Sequence, residues 1–159
     1  MKIRKADRRD FGEFVELRKQ TFREANLKKL KDEEIKIKKE FNDFLKSPKK
    51  LFFIIENENE VLGYLIGTFL SNVWKKSIYL DDVFVKKTFR RKGFASKLIK
   101  EFIKKGRQKR INEIRLGVDI KNKRAIELYK KLGFKIYHYE MKKKLKWNSI
   151  MVHQKNWKL

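Results

Sequence analysis

A basic turn before a helix-like segment is the first feature of this sequence that suggests chemistry. The stretch "VFVKKTFRRKGFASKLI" ends an apolar run at Val85 and places the cations Arg90–Lys92 directly before Gly93. The first turn of a helix has unbonded N–H groups and the positive end of the helix dipole, so it binds anions. Gly93 and Ala95 leave room for a phosphate, and Ser96 offers a hydroxyl. The stretch is neither a GxGxxG fingerprint nor a P-loop, so by itself it fits an anion pocket and an ordinary basic turn almost equally.

Two adjacent carboxylates lie in the apolar segment "YLDDVFV" just before this turn. Because side chains alternate along a strand, we expect Asp81 and Asp82 to point to opposite faces of a sheet. A carboxylate in a cleft can act as a general base when its surroundings raise its pKa. Either residue could equally be solvated or paired with a lysine, so this segment alone leaves both roles open.

A third candidate group lies in "NKRAIELYKKLGF". Asn122 is a natural helix N-cap, and Gly133 is typical of the residue that ends a helix. Ala125 and Tyr129 are four residues apart and therefore share one helix face. Packing of Tyr129 and its leucine neighbours into a core explains this pattern as well as a functional role does.

Periodicity predicts the elements that must position these groups, in the order β-α-α-β-β-β-α-β-α-β. Helices are expected from Asp7 to Phe22, Ile37 to Leu45, Gly93 to Lys105 and Asn122 to Leu132. Strands are expected in "MKIRKA", the hairpin "LFFIIENENEVLGYLIGTFL", "SIYLDDVFV", "EIRLGVDI" and "FKIYHYEMKKKL", and the tail after Leu145 could hold a last one. A hairpin-rich first half joined to a β-α-β-α-β second half predicts a mixed sheet with helices on both faces, an α/β (α+β) fold.

The composition predicts one globular domain spanning residues 1–159. The formal net charge is +24, from 44 Lys plus Arg against 20 Asp plus Glu. A field of this size attracts nucleic acid, phosphorylated ligands or acidic protein faces. A generally lysine-rich composition explains the charge as well, since the lysines are spread along the whole chain.

Several kinds of chemistry are excluded or disfavoured by residue usage. The chain has no cysteine, which excludes disulfides, thiolate metal sites and a cysteine nucleophile. Its two histidines, His138 and His153, lack partners at metal-ligand spacing, so we expect no metal. No apolar run approaches the ~20 residues that a membrane span needs, and the N-terminal residues have no apolar signal core. We therefore expect a soluble, cytoplasmic protein without membrane contact.

Taken together and in order, these pieces resemble the GNAT superfamily of acetyl-CoA-dependent N-acetyltransferases. The resemblance is carried by the acid-bearing strand "YLDDVFV", the Arg90-x-x-Gly93-x-Ala95 turn and the Asn122-x-x-Ala125-x-x-x-Tyr129-x-x-x-Gly133-Phe134 segment. "NEVLGYLIG" and "IRKADRRDFGEFVELR" look like the first-half elements of that family. The resemblance extends over about residues 2–145, and Ala95 replaces a second glycine that is more common there.

The resemblance implies a three-layer sandwich in which the fourth and fifth strands splay apart to hold acetyl-CoA, with no metal. The pyrophosphate of the coenzyme would lie on the backbone amides of residues 91–96, and the pantetheine arm would pair with the strand before them. The residues implied to bind the coenzyme are Val83, Phe84, Val85, Arg90, Arg91, Lys92, Gly93, Phe94, Ala95, Ser96, Asn122, Ala125 and Tyr129.

The resemblance also implies catalytic roles. Tyr129 would protonate the departing thiolate as general acid. Asp81, directly or through water, would take the proton from the attacking ammonium, with Asp82 as the reserve candidate. Asp81 stands where many members of the family carry Glu, and its shorter side chain changes how directly it reaches the acceptor amine.

The expected function is acetyl transfer to a primary amine by direct attack in a ternary complex. The acid-bearing strand is similar to that of the diamine and polyamine acetyltransferases, and a protein N-terminus is an equally open acceptor. Glu33, Glu34 and Asp81 could form a local acidic cleft for a cationic acceptor. Homodimers are common in the family. The alternative is a nucleic-acid- or ribosome-associated binding module with little or no catalysis, a hypothesis suggested by the net charge of +24.

Overall fold

The computed structural model describes residues 1–24, 33–58, 60–71 and 76–143. Short 3₁₀ turns precede the first helix at Arg8–Asp10 and follow the fourth strand at Lys87–Phe89. The order of elements confirms the predicted one from the first strand to the last helix. The elements are β1 (Lys2–Lys5), α1 (Phe11–Glu24), α2 (Glu33–Lys46), β2 (Lys50–Asn57), β3 (Glu60–Ser71), β4 (Lys76–Val85), α3 (Phe94–Gln108), β5 (Glu113–Leu116) and α4 (Lys123–Lys131).

The five strands form one sheet in the order β1-β2-β3-β4-β5. Neighbours from β1 to β4 are antiparallel, whereas β5 runs parallel to β4. The parallel pair is possible because α3 forms the crossover between its two strands. This is the mixed, mostly antiparallel sheet that the sequence predicts.

The apolar run of β2 shows why the sheet is covered on both faces. Leu51, Phe53 and Ile55 belong to a core cluster on the side of α3 and α4. Phe52 and Ile54 belong to a second cluster on the side of α1 and α2. A strand buried on both faces reads as a continuous hydrophobic segment, as "LFFII" does. The predicted three-layer arrangement is confirmed.

Aromatic packing fixes α1 and α2 to the sheet. Phe14 of α1 is fully buried, and its ring centroid lies 5.2 Å from those of Phe41, Phe52 and Tyr64. The pairs with Phe52 and Tyr64 are edge-on and the pair with Phe41 is tilted; aromatic pairs of this kind contribute about 0.5–1.5 kcal/mol each beyond the area that they bury. The hairpin strands and the first two helices therefore form one packed unit.

Helix α3 lies close against the opposite face of the sheet. Its buried residues include Leu98, Ile99 and Phe102, which recur at helical spacing within the range predicted for this helix. Gly67 of β3 makes the close approach possible, because a Cβ atom there would collide with the ring of Phe102. The helix begins after Gly93, whose φ of +80° places it in the left-handed region that favours glycine.

The sequence-based prediction is wrong in two places near the C-terminal end. The strand expected from Phe134 does not form over residues 134–143, where Tyr137, Tyr139 and Met141 are exposed. The fifth strand ends at Leu116, although the prediction extended it to residue 120. Alternation makes a strand only where another strand supplies hydrogen bonds, and none in the described ranges pairs with 134–143. The strand expected after Leu145 lies outside the described residues.

Within the described ranges, no helix is both long enough and apolar enough to cross a membrane. The same part of the chain contains no group of three or more histidine or acidic side chains arranged to hold a metal ion.

Candidate active site

The two acids of β4 lie at a β-bulge. Leu80 is opposite Gly67 of β3, and Asp82 is opposite Ile66, so Asp81 is one residue more than β3 can pair. A bulge of this kind breaks the strict alternation of side chains. Both carboxylates consequently contact side chains of the α1/α2 side of the sheet, and the expectation that they point to opposite faces is wrong.

Asp81 is held by a lysine and a threonine. The Lys50 ammonium lies 3.0 Å from Oδ2 of Asp81, and the hydroxyl of Thr68 donates to the same oxygen. The ammonium also lies 5.1 Å from the ring centroid of Phe44 in α2. A protein amine therefore occupies one lone-pair position of this carboxylate, and the carboxylate is partly open to solvent.

Asp82 is held more firmly. The hydroxyl of Tyr64 donates to its Oδ2 at 2.6 Å, and Nη1 of Arg18 donates to the same oxygen at 2.8 Å. Burial and the charge of Asp82 together raise the pKa of Tyr64, so its hydroxyl stays protonated and remains a donor. This carboxylate is fixed in position by partners from α1 and β3.

Arg18 of α1 connects α2 to β4 through its guanidinium. Its Nη2 donates to Oε1 of Glu40 in α2 at 2.9 Å, while Nη1 holds Asp82. Its guanidinium lies 5.0 Å from the ring centroid of Phe22, and its Nε is buried without a hydrogen-bond partner. Burial raises the pKa of Glu40, which the charge of Arg18 partly opposes. Arg18 was not among the residues predicted from the sequence, although a charge among the apolar positions of a predicted helix was the available signal.

The edge of β4 that faces β5 is only partly paired. The parallel pairing with β5 ends at Leu80 and Leu116, whereas β4 continues to Val85. No strand among the described residues pairs with this edge of the segment 81–85. The structure thus leaves a free strand edge along Val83, Phe84 and Val85, three residues that the sequence singled out.

Tyr129 of α4 belongs to the core cluster on the α3/α4 side. Its ring packs edge-on against Phe134 at 5.7 Å. Burial, followed by the negative charge of Asp82, raises the pKa of Tyr129. The hydroxyl is therefore protonated at neutral pH and interacts electrostatically with an acid of the opposite face. Helix α4 begins as expected, because Asn122 caps it by accepting from the N–H of Ala125 at 3.2 Å.

The first turn of α3 is uncapped. Gly93 provides no side-chain cap, and the turn carries no acid. The N–H groups of Phe94, Ala95 and Ser96 are consequently available to an anion. Arg91 and Lys92 are exposed beside them.

Arg90 points in a different direction from its neighbours. Its Nε donates to the carbonyl of Val85 at 2.8 Å, and its Nη2 lies 2.8 and 2.9 Å from the two carboxylate oxygens of Glu24. The guanidinium also lies 5.1 Å from the ring centroid of Phe84. In the structure Arg90 joins the end of β4 to the end of α1 through these contacts.

A groove of about 450 Å³ lies beside the C-terminal half of α1. It is on the same side of the sheet as the two acids of β4. Ligand pockets in proteins usually have ~300–1,000 Å³, so the groove is large enough for a small molecule. Its lining residues are Glu16, Leu17, Gln20, Arg23, Glu24 and Lys86.

The fold and this site define a class of protein that the comparisons confirm. The model of the acetyltransferase (GNAT) family matches residues 11–134. The chain therefore belongs to the GNAT family, as its resemblance predicted.

Relatives of known name agree with the family. A thialysine N-epsilon-acetyltransferase from Bos taurus is 42% identical over 74 residues, which are 46% of this chain and 44% of that protein. An N-alpha-acetyltransferase from Sulfurisphaera tokodaii is 32% identical over 104 residues, 60% of this chain and 62% of that protein. The chain thus matches less than two thirds of the length of each of these relatives.

Solved structures agree with the fold. The tetramutant of the BH1408 protein from Bacillus halodurans superposes with a TM-score of 0.79 at 22% identity, covering 91% of this chain and 100% of that one. The aminoglycoside acetyltransferase AAC(6')-Iy in complex with a bisubstrate analogue gives a TM-score of 0.75 at 19% identity, covering 91% of this chain and 97% of that one. At this level of identity the likeness concerns the fold alone.

Proposed function

We propose that this protein transfers the acetyl group of acetyl-CoA to a primary amine by direct attack in a ternary complex. One observation carries the proposal. Beyond Leu80 the strands β4 and β5 no longer pair, and this gap has Asp81 and Asp82 on one face of the sheet and the protonated Tyr129 on the other. An acyl group held in the gap would face a proton acceptor and a proton donor at once.

The residues around the gap fit coenzyme A. Its pantetheine arm carries amides, and the edge of β4 at Val83 and Val85, which has no neighbouring strand among the described residues, offers backbone groups to pair with them; the carbonyl of Val85 already accepts from Arg90. Its pyrophosphate suits the uncapped N–H groups of Phe94–Ser96 with Arg91 and Lys92 nearby. Asn122, Ala125 and Tyr129 of α4 lie along the same gap in this proposal, while Arg90 stabilises the turn through Glu24 and Val85.

Bound acetyl-CoA supplies an activated thioester, and the chain supplies the proton transfers. Tyr129 is the proposed general acid, since burial keeps its hydroxyl protonated until a thiolate develops beside it. Asp81 is the proposed proton acceptor for the attacking ammonium. Each of the two acids has two donors on Oδ2. Those of Asp81 are Thr68 and the flexible ammonium of Lys50, whereas those of Asp82 are the buried side chains of Arg18 and Tyr64, so Asp81 is freed more easily. A backbone N–H of the β4 edge would polarise the thioester carbonyl.

The proposed acceptor is a small primary amine that enters on the α1/α2 side. The position and size of the groove beside α1 support this, since it lies on the face of the sheet that holds Asp81 and Asp82 and is large enough for a small molecule. The matched relatives include one named for a side-chain-like amine and one named for an alpha-amine. A peptide N-terminus is therefore the second acceptor to test.

The test replaces Tyr129 with Phe and follows thiol release at saturating acetyl-CoA. We expect kcat to fall by ~10²–10⁴ because a general acid is lost, while the Kd of coenzyme A in calorimetry stays the same. Tyr137→Phe removes a hydroxyl from an exposed tyrosine and serves as the matched control. Unchanged turnover in Tyr129→Phe would refute the role of Tyr129. The absence of thiol release by the unaltered protein with spermidine, lysine analogues and peptides would refute the acetyl-transfer proposal itself.

A further inference from the structure

The positive charge of this protein is distributed unevenly between its two helical layers. Helices α1 and α2 together carry seven acidic and seven basic residues. Helices α3 and α4 together carry two acidic and nine basic residues. One face of the sheet is thus covered by a neutral layer and the other by a layer of net charge +7. A uniformly lysine-rich composition does not account for such a difference.

The exposed face of α3 concentrates these cations. Lys100, Lys104 and Arg107 are exposed and lie four and three residues apart, so they form one row along the helix. The opposite face of the helix is buried against the sheet. Lys104 lies 3.8 Å from Glu101, and no carboxylate of the described residues lies within 4.0 Å of Lys100 or Arg107. The row is therefore largely uncompensated.

A groove of about 340 Å³ lies at the C-terminal end of α3, where Lys109, the residue after the helix, lines it. Lys49, Lys76 and Lys109 line it, and its floor includes Phe69 and Leu70. The Lys109 ammonium lies 5.4 Å from the ring centroid of Phe69, and the Leu70 side chain is 40% exposed. Within the described part of the chain none of these three lysines has a carboxylate within 4.0 Å. Cations around an apolar floor suit a ligand with both negative charge and flat apolar surface.

We propose that the exposed row of α3 and the adjoining groove bind single-stranded nucleic acid. Phosphates would lie along Lys100, Lys104 and Arg107, and a base would lie against the apolar floor at Phe69 and Leu70. Binding of single strands in general combines a cationic track with apolar or aromatic surfaces on which bases stack. An acidic polypeptide would use the cations but not the floor.

This surface is separate from the proposed acetyl-transfer site. The groove lies at the N-terminal end of β4, where Lys76 and Ser77 line it. The acids and the free strand edge lie at the other end of β4, from Asp81 to Val85. Nucleic acid bound on the row would thus leave the gap beside β4 open, and the proposal does not depend on acetyl transfer.

The experiment compares two variants of equal net charge. One replaces Lys100, Lys104 and Arg107 of α3 with Gln, and the other replaces Lys36, Lys38 and Lys39 of α2, which are also exposed. Binding of a fluorescein-labelled 20-residue oligouridylate is measured by anisotropy between 50 and 300 mM KCl, and thermal unfolding by circular dichroism verifies that each variant is folded.

We expect the α3 variant to bind at least about tenfold more weakly at 100 mM KCl. Its slope of log K against log salt should fall by about 2, since three phosphate contacts at ~0.7 each are removed. The α2 variant should stay within about threefold of the unaltered protein. Leu70→Ser should weaken binding without changing the slope, since it removes apolar contact only.

Three results would overturn the proposal. The first is no binding of the oligouridylate by the unaltered protein at 50 mM KCl. The second is an equal loss in the α2 and α3 variants, which would make net charge alone responsible. The third is competition by polyglutamate as effective as that by unlabelled oligouridylate, which would identify the surface as one for acidic polypeptides.

Discussion

Replacing Arg18 with Met removes the cation of α1 that holds the acids Asp82 of β4 and Glu40 of α2 together. The guanidinium bonds Asp82 at 2.8 Å and Glu40 at 2.9 Å, and it is only 15% exposed. Methionine keeps much of the apolar contact with Phe22 but leaves two partly buried carboxylates without their cation. The variant tests whether this network stabilises the fold through charge.

The magnitude follows from burial. Removing one partner of a buried ion pair costs about 3–5 kcal/mol because the remaining charge stays desolvated. Asp82 and Glu40 are 28% and 32% exposed, so solvent screens part of the loss, and we expect about 2–3 kcal/mol. For a protein of this size each kcal/mol shifts Tm by ~2–4 °C, so Tm should fall by about 4–12 °C.

The free energy of unfolding lost in Arg18→Met should be larger at neutral pH than at acidic pH. Burial raises the pKa of Glu40, so its ionised form is disfavoured in the folded protein. This group's contribution to stability is present below its unfolded-state pKa and is lost as the pH rises through its folded-state pKa. Without Arg18 the pKa rises further, and the variant therefore loses most at neutral pH. The deficit at pH 4.5 should therefore be smaller than the deficit at pH 7.5.

Urea unfolding at both pH values measures this deficit. Arg23→Met in the same helix is the matched control, because Arg23 is exposed and, among the described residues, its guanidinium bonds only the carbonyl of Lys19. The control should change stability by less than about 0.5 kcal/mol. A deficit below about 1 kcal/mol for Arg18→Met at pH 7.5, or one of equal size at both pH values, would show that the network does not stabilise the fold through charge.

Two further predictions concern the bulge and the end of β4. Lys50→Met should raise kcat/KM for spermidine by about tenfold, because the variant lacks the cation that pairs with Asp81 and repels a cationic acceptor. Lys49→Met is the control for net charge. An equal rise in that variant would show that the gain comes from net charge alone. Gly63→Ala should cost ~1–3 kcal/mol in urea unfolding and raise the Kd of coenzyme A, because its Cβ would lie 3.0 Å from Cα of Val85 and closer still to the neighbouring carbonyl. Gly12→Ala, which meets no atom within 4 Å, should instead stabilise α1 by ~0.5–1 kcal/mol, and a loss in Gly12→Ala as large as that in Gly63→Ala would contradict the steric explanation.

The order of elements and the identity of the fold were readable from the sequence. Helix and strand periods are local, so the apolar stripe of α3 and the cap at Asn122 could be placed without knowing the tertiary structure. The spacing between the basic turn at Gly93 and Tyr129 indicated the GNAT family. The same locality explains the failure after Phe134, where alternation was present but a pairing strand was not.

The arrangement of charge was only partly readable. Most acidic residues lie in the first half of the sequence, whereas the lysines are spread along all of it. This difference could have been read from the sequence. The sequence could not show that the two helices of each half would share one face of the sheet. The separation into a neutral and a strongly basic layer follows from that shared face.

The sequence by itself determined the elements, their order and the residue types available for chemistry. Only the tertiary structure decided which of these residues act on one another. One extra residue at Asp81 turns both acids toward α1 and α2, and Arg18 meets Asp82 across 64 positions of the chain. Such contacts depend on strand register and on layer packing, because side chains distant in sequence come together only when the whole sheet has formed.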